Sequence, residues 1–236
     1  MIARINWEAL AEDYEKRHCQ GKVREAKGHY QFQGSPCLPP DLTLREYQKQ
    51  AVVNWFRQRG RGMLKMATGS GKTITALALA TELYEKIGLQ VLLVVCPFRH
   101  LVTQWGKECQ RFNLQPILAF ESVEQWQGEL SHQLYHLMKG TQNFLTVITT
   151  NATLISEGFQ SQLSYFPEKT LIVGDEAHHL GSPRLLASLP SQIGLRLGLS
   201  ATPERYFDET GTEGVLSYFG EVLTPQFTLA DAIAQS

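Results

Sequence analysis

The sequence predicts an α/β domain built as a doubly wound parallel sheet, preceded by a short helical extension. Short apolar runs suited to strands buried on both faces recur at residues 63–66, 91–96, 144–149, 170–174 and 195–200. Segments with helical periodicity lie between most of them, which is the alternation of a parallel sheet covered on both sides. A glycine-rich turn, Gly69-Ser70-Gly71, joins the first of these runs directly to a helix.

The elements follow in order. Residues 6–27 read as one or two helices, with Asn6 as N-cap and Trp7, Leu10 and Tyr14 on one face. Residues 34–40 (GSPCLPP) are turn chemistry and read as a linker. The pattern changes from Leu42 onward: residues 44–56 are helical, the run 63–66 follows, and residues 73–86 are helical again. Near the end, residues 221–227 are strand-like and residues 228–235 begin a helix. The expected organisation is a helical extension and linker at 1–40, an α/β domain at 41–225, and a further short segment at 226–236.

Composition narrows the class. The 236 residues suffice for one large α/β domain or two small ones, and 43% hydrophobic with 19% charged residues is ordinary for a globular protein. No apolar run reaches the roughly 18 residues that span a bilayer, and the acids near the N-terminus do not suit a signal peptide. The cysteines Cys19, Cys37, Cys96 and Cys109 are scattered without a CxxC pair, which fits reduced thiols in a cytoplasmic protein, nucleoid-associated if bacterial. A zinc site from His18, Cys19, His29 and Cys37 fits no common finger spacing. Net charge is −1, so charge alone does not announce a nucleic-acid partner.

The chemistry is carried by two motifs. Met66-Ala67-Thr68-Gly69-Ser70-Gly71-Lys72-Thr73 follows a strand and opens a helix, the setting a phosphate-binding P-loop requires. Gly69 and Gly71 let the backbone turn its N–H groups, together with those of Thr68 and Ser70, toward an anion that also meets the helix dipole. Lys72 can reach the β- and γ-phosphates of ATP, and the Thr73 hydroxyl can ligate Mg²⁺. Met66 stands where the full pattern has its first glycine. Asp175-Glu176-Ala177-His178 follows the run 170–174. An acid at the carboxyl end of a buried parallel strand calls for a metal or polar partner, so Asp175 suits Mg²⁺ and Glu176 suits polarising an attacking water.

In order and spacing these motifs resemble the first RecA-like domain of superfamily 2 helicases and translocases, in the DEAH-containing, XPB-like and restriction-translocase-like branch. The resemblance runs from Leu42 to the C-terminus. Leu44-Arg45-Glu46-Tyr47-Gln48 is similar to the adenine-recognition motif, which implies that Arg45 and Gln48 meet the nucleotide, Gln48 reading the adenine edge. Pro97 to Trp105 resembles a motif that contacts the sugar–phosphate backbone, implying roles for Arg99, His100 and Gln104, with a packed core helix as the alternative. Thr149-Thr150-Asn151 resembles a second such loop, and hydroxyls there also suit helix capping. Ser200-Ala201-Thr202-Pro203, continuing into Glu204-Arg205, resembles the motif that couples the nucleotide site to nucleic acid, with His178 joining it. A histidine satisfied by a carbonyl is the plainer alternative for His178.

His179 and Arg184 are either on the nucleic-acid face or solvated. The basic residues Lys16, Arg17, Lys22, Arg24 and Lys27 are interleaved with acids and read better as a solvated helix face than as a phosphate contact. The resemblance implies a nucleic-acid-dependent ATPase using ATP and Mg²⁺, acting on DNA rather than RNA as a helicase or double-strand translocase. It also implies a second RecA-like domain, in cis or from a partner, so the chain reads as half a catalytic site. A nucleotide-switched nucleic-acid-binding module with little turnover is the other reading. Gln48 together with the acidic and Ser-Ala-Thr motifs disfavours a small-molecule kinase or GTPase.

Overall fold

The computed structural model describes residues 2–19, 34–202, 208–227 and 231. The expected helix beyond Cys19, the Pro203-Glu204-Arg205 continuation and, Asp231 apart, the helical start at 228–235 lie outside the described residues.

In chain order, the elements up to the middle of the sheet are α1 (Trp7–His18), α2 (Glu46–Arg57), β1 (Arg61–Met66), α3 (Lys72–Ile87), β2 (Val91–Cys96), α4 (Arg99–Arg111), β3 (Ile117–Ala119) and α5 (Val123–Met138). There follow β4 (Leu145–Thr150), α6 (Asn151–Leu154), α7 (Glu157–Leu163), β5 (Thr170–Gly174), α8 (Pro183–Ser188), β6 (Leu195–Ser200), α9 (Glu209–Phe219) and β7 (Val222–Phe227). The strands form a 7-stranded sheet in the order β3-β4-β2-β5-β6-β1-β7, and every pairing is parallel.

The expected α/β fold is therefore present, with helices on both faces. Alternation along the buried strands shows why. Leu92, Val94 and Cys96 join the core beneath α2, α3 and α4, whereas Val91, Leu93 and Val95 join the core beneath α5, α7 and α9. The strand at Ile117–Ala119 was not foreseen. It is only 3 residues long and pairs at the sheet edge, too short to register as an apolar run.

Helix ends obey their local chemistry. The Asn6 side chain accepts from Ala9 N at the start of α1, and Gly88 ends α3 with φ +66°. α1 packs onto α2, with Tyr14 edge-on to Phe56 and Trp7 edge-on to Trp55, ring centroids 5.9 and 6.1 Å apart. Arg17 is not a solvated base: its guanidinium pairs with Glu82 of α3 and with Asp13.

One packing contact sets the end of β5. The ring of Phe219 on α9 lies so close over Gly174 that an added Cβ would meet its Cζ at 2.6 Å and Leu180 Cδ1 at 2.9 Å. Gly174→Ala is expected to lower stability by about 1–3 kcal/mol through overpacking. Thermal unfolding of the variant beside the wild type checks this, and an unchanged midpoint would show that Phe219 gives way freely.

Candidate functional site

The P-loop turns between β1 and α3. Gly69 and Gly71 carry φ of +78° and +88°, the left-handed region open to glycine. Gly71 is constrained twice, because an added Cβ would also come within 2.6 Å of Gln48 Nε2. Thr68 and Gly69 are exposed, Ser70 is buried and Thr73 is half-buried. The Ser70 hydroxyl donates to Ala67 O at 2.6 Å, closing the turn.

Two side chains of α2 brace this loop from outside. The amide of Gln48 accepts from Arg45 N at 2.8 Å and donates from Nε2 to Gly71 O at 3.2 Å. Both ends of the amide are thus engaged by backbone, and reading an adenine edge requires exchanging one of those bonds. Tyr47 Oη donates to Ser70 O at 2.5 Å, while its ring stacks on Phe227 at 3.9 Å between centroids. Tyr47 was quoted in the sequence motif without a role. Its pairing with Phe227 spans residues too far apart in the chain for local pattern to reveal. The guanidinium of Arg45 is exposed and reaches Tyr47 Oη at 3.4 Å.

Across the loop stands the acidic segment at the end of β5. Lys72 Nζ donates to Glu176 Oε1 and to Met66 O, both at 3.2 Å. Glu176 itself has φ +44°, a conformation that is strained for a residue with a side chain and that concentrates at functional sites. Asp175 is 7% exposed; Trp105 Nε1 donates to its Oδ2 at 2.8 Å, and Glu176 N donates to its Oδ1 at 3.1 Å. Burial pushes the Asp175 carboxyl above the ordinary range; the indole hydrogen bond and Lys72 pull it down, and Glu176 adds to the push.

His178 Nδ1 lies 2.9 Å from Ser200 Oγ and 3.6 Å from Glu176 Oε2. Ser200 Oγ also accepts from Thr202 N at 3.1 Å, so Ser200-Ala201-Thr202 is bonded to the acidic segment through His178. The histidine is met by the Ser200 hydroxyl and by the Glu176 carboxylate.

The residues expected at a nucleic-acid face divide. Arg99, His100 and Gln104 are exposed along the first turns of α4, Arg99 within 3.4 Å of Glu121. Exposed Phe98 stacks on His100 at 5.6 Å and meets the edge of His179 at 5.4 Å. Arg184 is also exposed. Thr149 and Thr150 are a correction. Thr149 is 0% exposed with its hydroxyl donating to Ala119 O, and Thr150 is 6% exposed and caps α6 by accepting from Thr153 N. Their hydroxyls serve strand pairing and the helix start, so neither side chain presents itself to a ligand in this conformation.

A P-loop facing an acidic strand end defines the class as a RecA-like P-loop domain. Residues 41–205 match the family described as "Type III restriction enzyme, res subunit", and the chain belongs to that family. Among curated relatives, it is 33% identical over 172 residues to the "DNA 3'-5' translocase XPB2" of Sulfurisphaera tokodaii, covering 72% of this chain and 33% of that one. Among solved structures, it superposes on "Crystal structure of the UvsW helicase from Bacteriophage T4" with TM-score 0.58 and 19% identity, covering 91% of this chain and 67% of that one. A second, "ATP-dependent Type ISP restriction-modification enzyme LlaBIII bound to DNA", gives TM-score 0.59 and 23% identity, covering 81% of this chain and 16% of that one. The structural likenesses carry the fold. The chain spans between 24% and 41% of the length of the first curated relatives it matches. Among the described residues no helix is long and apolar enough to cross a membrane.

The raised Asp175 carboxyl has a measurable consequence. A folded-state value above the unfolded one means that ionisation costs stability, a cost that is full above the folded value and gone below about pH 4. Without divalent cation, the unfolding midpoint of Asp175→Asn relative to that of the wild type is expected to fall as pH is lowered from neutral, because only the wild type sheds an ionisation cost. Thermal melts across that range check it; a difference independent of pH would mean that the Asp175 charge carries no such cost.

Proposed function

We propose that residues 41–225 form the ATP-binding domain of a nucleic-acid-dependent ATPase that drives movement on DNA, as a translocase or helicase. The observation that carries this reading is the contact between Lys72 of the P-loop and Glu176 of the acidic segment, with His178 bonded on to Ser200. Lys72 is hydrogen-bonded to Glu176 and His178 to Ser200, and His178 Nδ1 lies 3.6 Å from Glu176 Oε2, so the residues read as phosphate-binding, water-activating and coupling stand in one cluster. Membership of a family whose relatives bear the names translocase and helicase supports it, and those printed names favour DNA over RNA.

In this reading the P-loop N–H groups and Lys72 hold the β- and γ-phosphates, and Lys72 exchanges Glu176 for phosphate when ATP arrives. Freed of the lysine, Glu176 orients the attacking water and accepts its proton. The donor set fits magnesium: a threonine hydroxyl and a buried carboxylate are hard oxygen ligands, and the Asp175 charge is poorly compensated by protein alone. Magnesium bound by Thr73 and Asp175 would neutralise charge on the phosphate oxygens. Gln48 and Arg45 would meet the adenine end, Gln48 trading a P-loop carbonyl for the base. Arg99, His100 and Gln104 would contact the nucleic-acid backbone, and a second RecA-like lobe joined through 226–236, or supplied by a partner, would close the site. The place of action in this reading is the cytoplasm, or the nucleoid if the protein is bacterial.

Calorimetry of ATP binding to residues 1–236, with turnover measured in the presence and absence of duplex DNA once a second lobe is supplied, tests the assignment. Lys72→Ala is expected to lose ATP binding. Glu176→Gln is expected to keep binding while DNA-stimulated turnover falls at least about 100-fold. Loss of binding in Glu176→Gln would count against its role as base, and full DNA-stimulated turnover from residues 1–236 alone would remove the need for a second lobe.

A further inference from the structure

Trp105 belongs to α4, yet its polar atom is spent at the end of β5. The indole is 1% exposed and donates from Nε1 to Asp175 Oδ2 at 2.8 Å. The other oxygen of that carboxylate, Oδ1, accepts from Glu176 N at 3.1 Å. Each carboxylate oxygen therefore has one directed donor from a different element, and together they fix the plane of the group. A buried indole does not need such a partner. Trp55, also fully buried, satisfies its Nε1 with the backbone oxygen of Arg196 at 3.0 Å. Spending the donor on a carboxylate is costly to undo, because the hydrogen bond is charge-assisted and the oxygen left behind is buried.

Each donor occupies one lone-pair direction of its oxygen and leaves another free for a cation. A short carboxylate rotates readily about its terminal bond, since that torsion is broad. Holding it still is what an octahedral ion with strict geometry requires of a ligand. We propose that Trp105 is a positioning residue for the magnesium-side carboxylate, orienting Asp175 through the indole N–H. The proposal rests on the magnesium–ATP reading of the site and adds to it a residue that touches neither nucleotide nor metal.

Trp105→Phe removes the N–H and keeps a ring. On residues 1–236, the magnesium concentration giving half-maximal enhancement of binding of a fluorescent ATP analogue is expected to rise on the order of tenfold. Binding of the analogue without magnesium should not change. Asp175→Asn should weaken the magnesium effect further, and the double variant should be no worse than Asp175→Asn, since Trp105 acts through that carboxylate. A purely structural role would lower the ligand-free unfolding midpoint of Trp105→Phe without moving the magnesium requirement.

A measurement on the unmutated protein stands beside the variants in case Trp105→Phe does not fold. With isotope-labelled tryptophan, the Trp105 indole N–H resonance should shift on adding ADP with magnesium, and less on adding ADP alone. Equal shifts, or an unchanged magnesium requirement in folded Trp105→Phe, would overturn the role of Trp105. If magnesium does not improve nucleotide binding by the wild type, the magnesium–ATP reading falls and takes this proposal with it.

Discussion

Strands that all run in one direction deliver every strand-to-helix turn to the same edge of the sheet. That constraint places the candidate site. The neighbour order β2, β5, β6, β1 sets four carboxyl ends side by side: the approach to α4, Asp175, Ser200 and the P-loop. Ser200 ends the strand between the phosphate loop and the acidic segment, and His178 bridges to it at 2.9 Å. Apart from Asp175 and His178, which share one segment, none of these residues is near another in the chain. Their meeting follows from strand order, and strand order follows from the chain crossing from β1 past the places that β5 and β6 later fill.

The same edge is where the molecule stores unfavourable energy. Asp175 is a charge with little solvent, and Glu176 has a backbone conformation that a side chain resists. Both are over-determined by their surroundings. Phe219 presses on Gly174 just before the segment, Asp175 N donates to Val95 O at 2.8 Å, and Trp105 and Glu176 N take the carboxylate oxygens. The packed core beneath α9 is thus part of the site in an energetic sense. It holds a pair of acids in a state that would relax if the support were removed, and a cation with bound phosphate is the natural counter-charge.

Much of this was legible in the sequence because it is local. The runs at 91–96, 170–174 and 195–200 coincide with β2, β5 and β6 residue for residue; β2 is apolar throughout because both its faces are buried, and β6 keeps Leu195, Leu197 and Leu199 on one face. The glycines of the P-loop and the adjacent acids likewise carry their chemistry in consecutive positions. What could not be read is pairwise. Thr149 and Thr150 look like loop hydroxyls in sequence and are a buried strand bond and a helix cap in the fold. Arg17 looks like part of a basic face and is locked to Glu82, which lies a whole helix and strand away. Trp105 is a core aromatic and Tyr47 is half-buried against the core, and their polar atoms land on Asp175 and Ser70. Burial follows from pattern, whereas the partner of a buried donor is decided by tertiary packing.

Those two aromatic residues also show how the site is connected to the rest of the molecule. Tyr47 holds Ser70 O of the P-loop and stacks on Phe227, whose own carbonyl accepts from Ala67 N at 2.8 Å. The last residue of β7 therefore bonds the phosphate loop through its backbone and stacks on the tyrosine that braces that loop. On the opposite flank, Trp105 shares a helix with exposed Arg99 and His100, so the acidic end of the site is tied to a surface element of the same rigidity. Phosphate loop and acidic segment are each held by one aromatic hydrogen bond from a different helix, Tyr47 of α2 and Trp105 of α4. A nucleotide bridging the two would load both bonds at once, which gives a single small ligand mechanical contact with two separate faces of the domain.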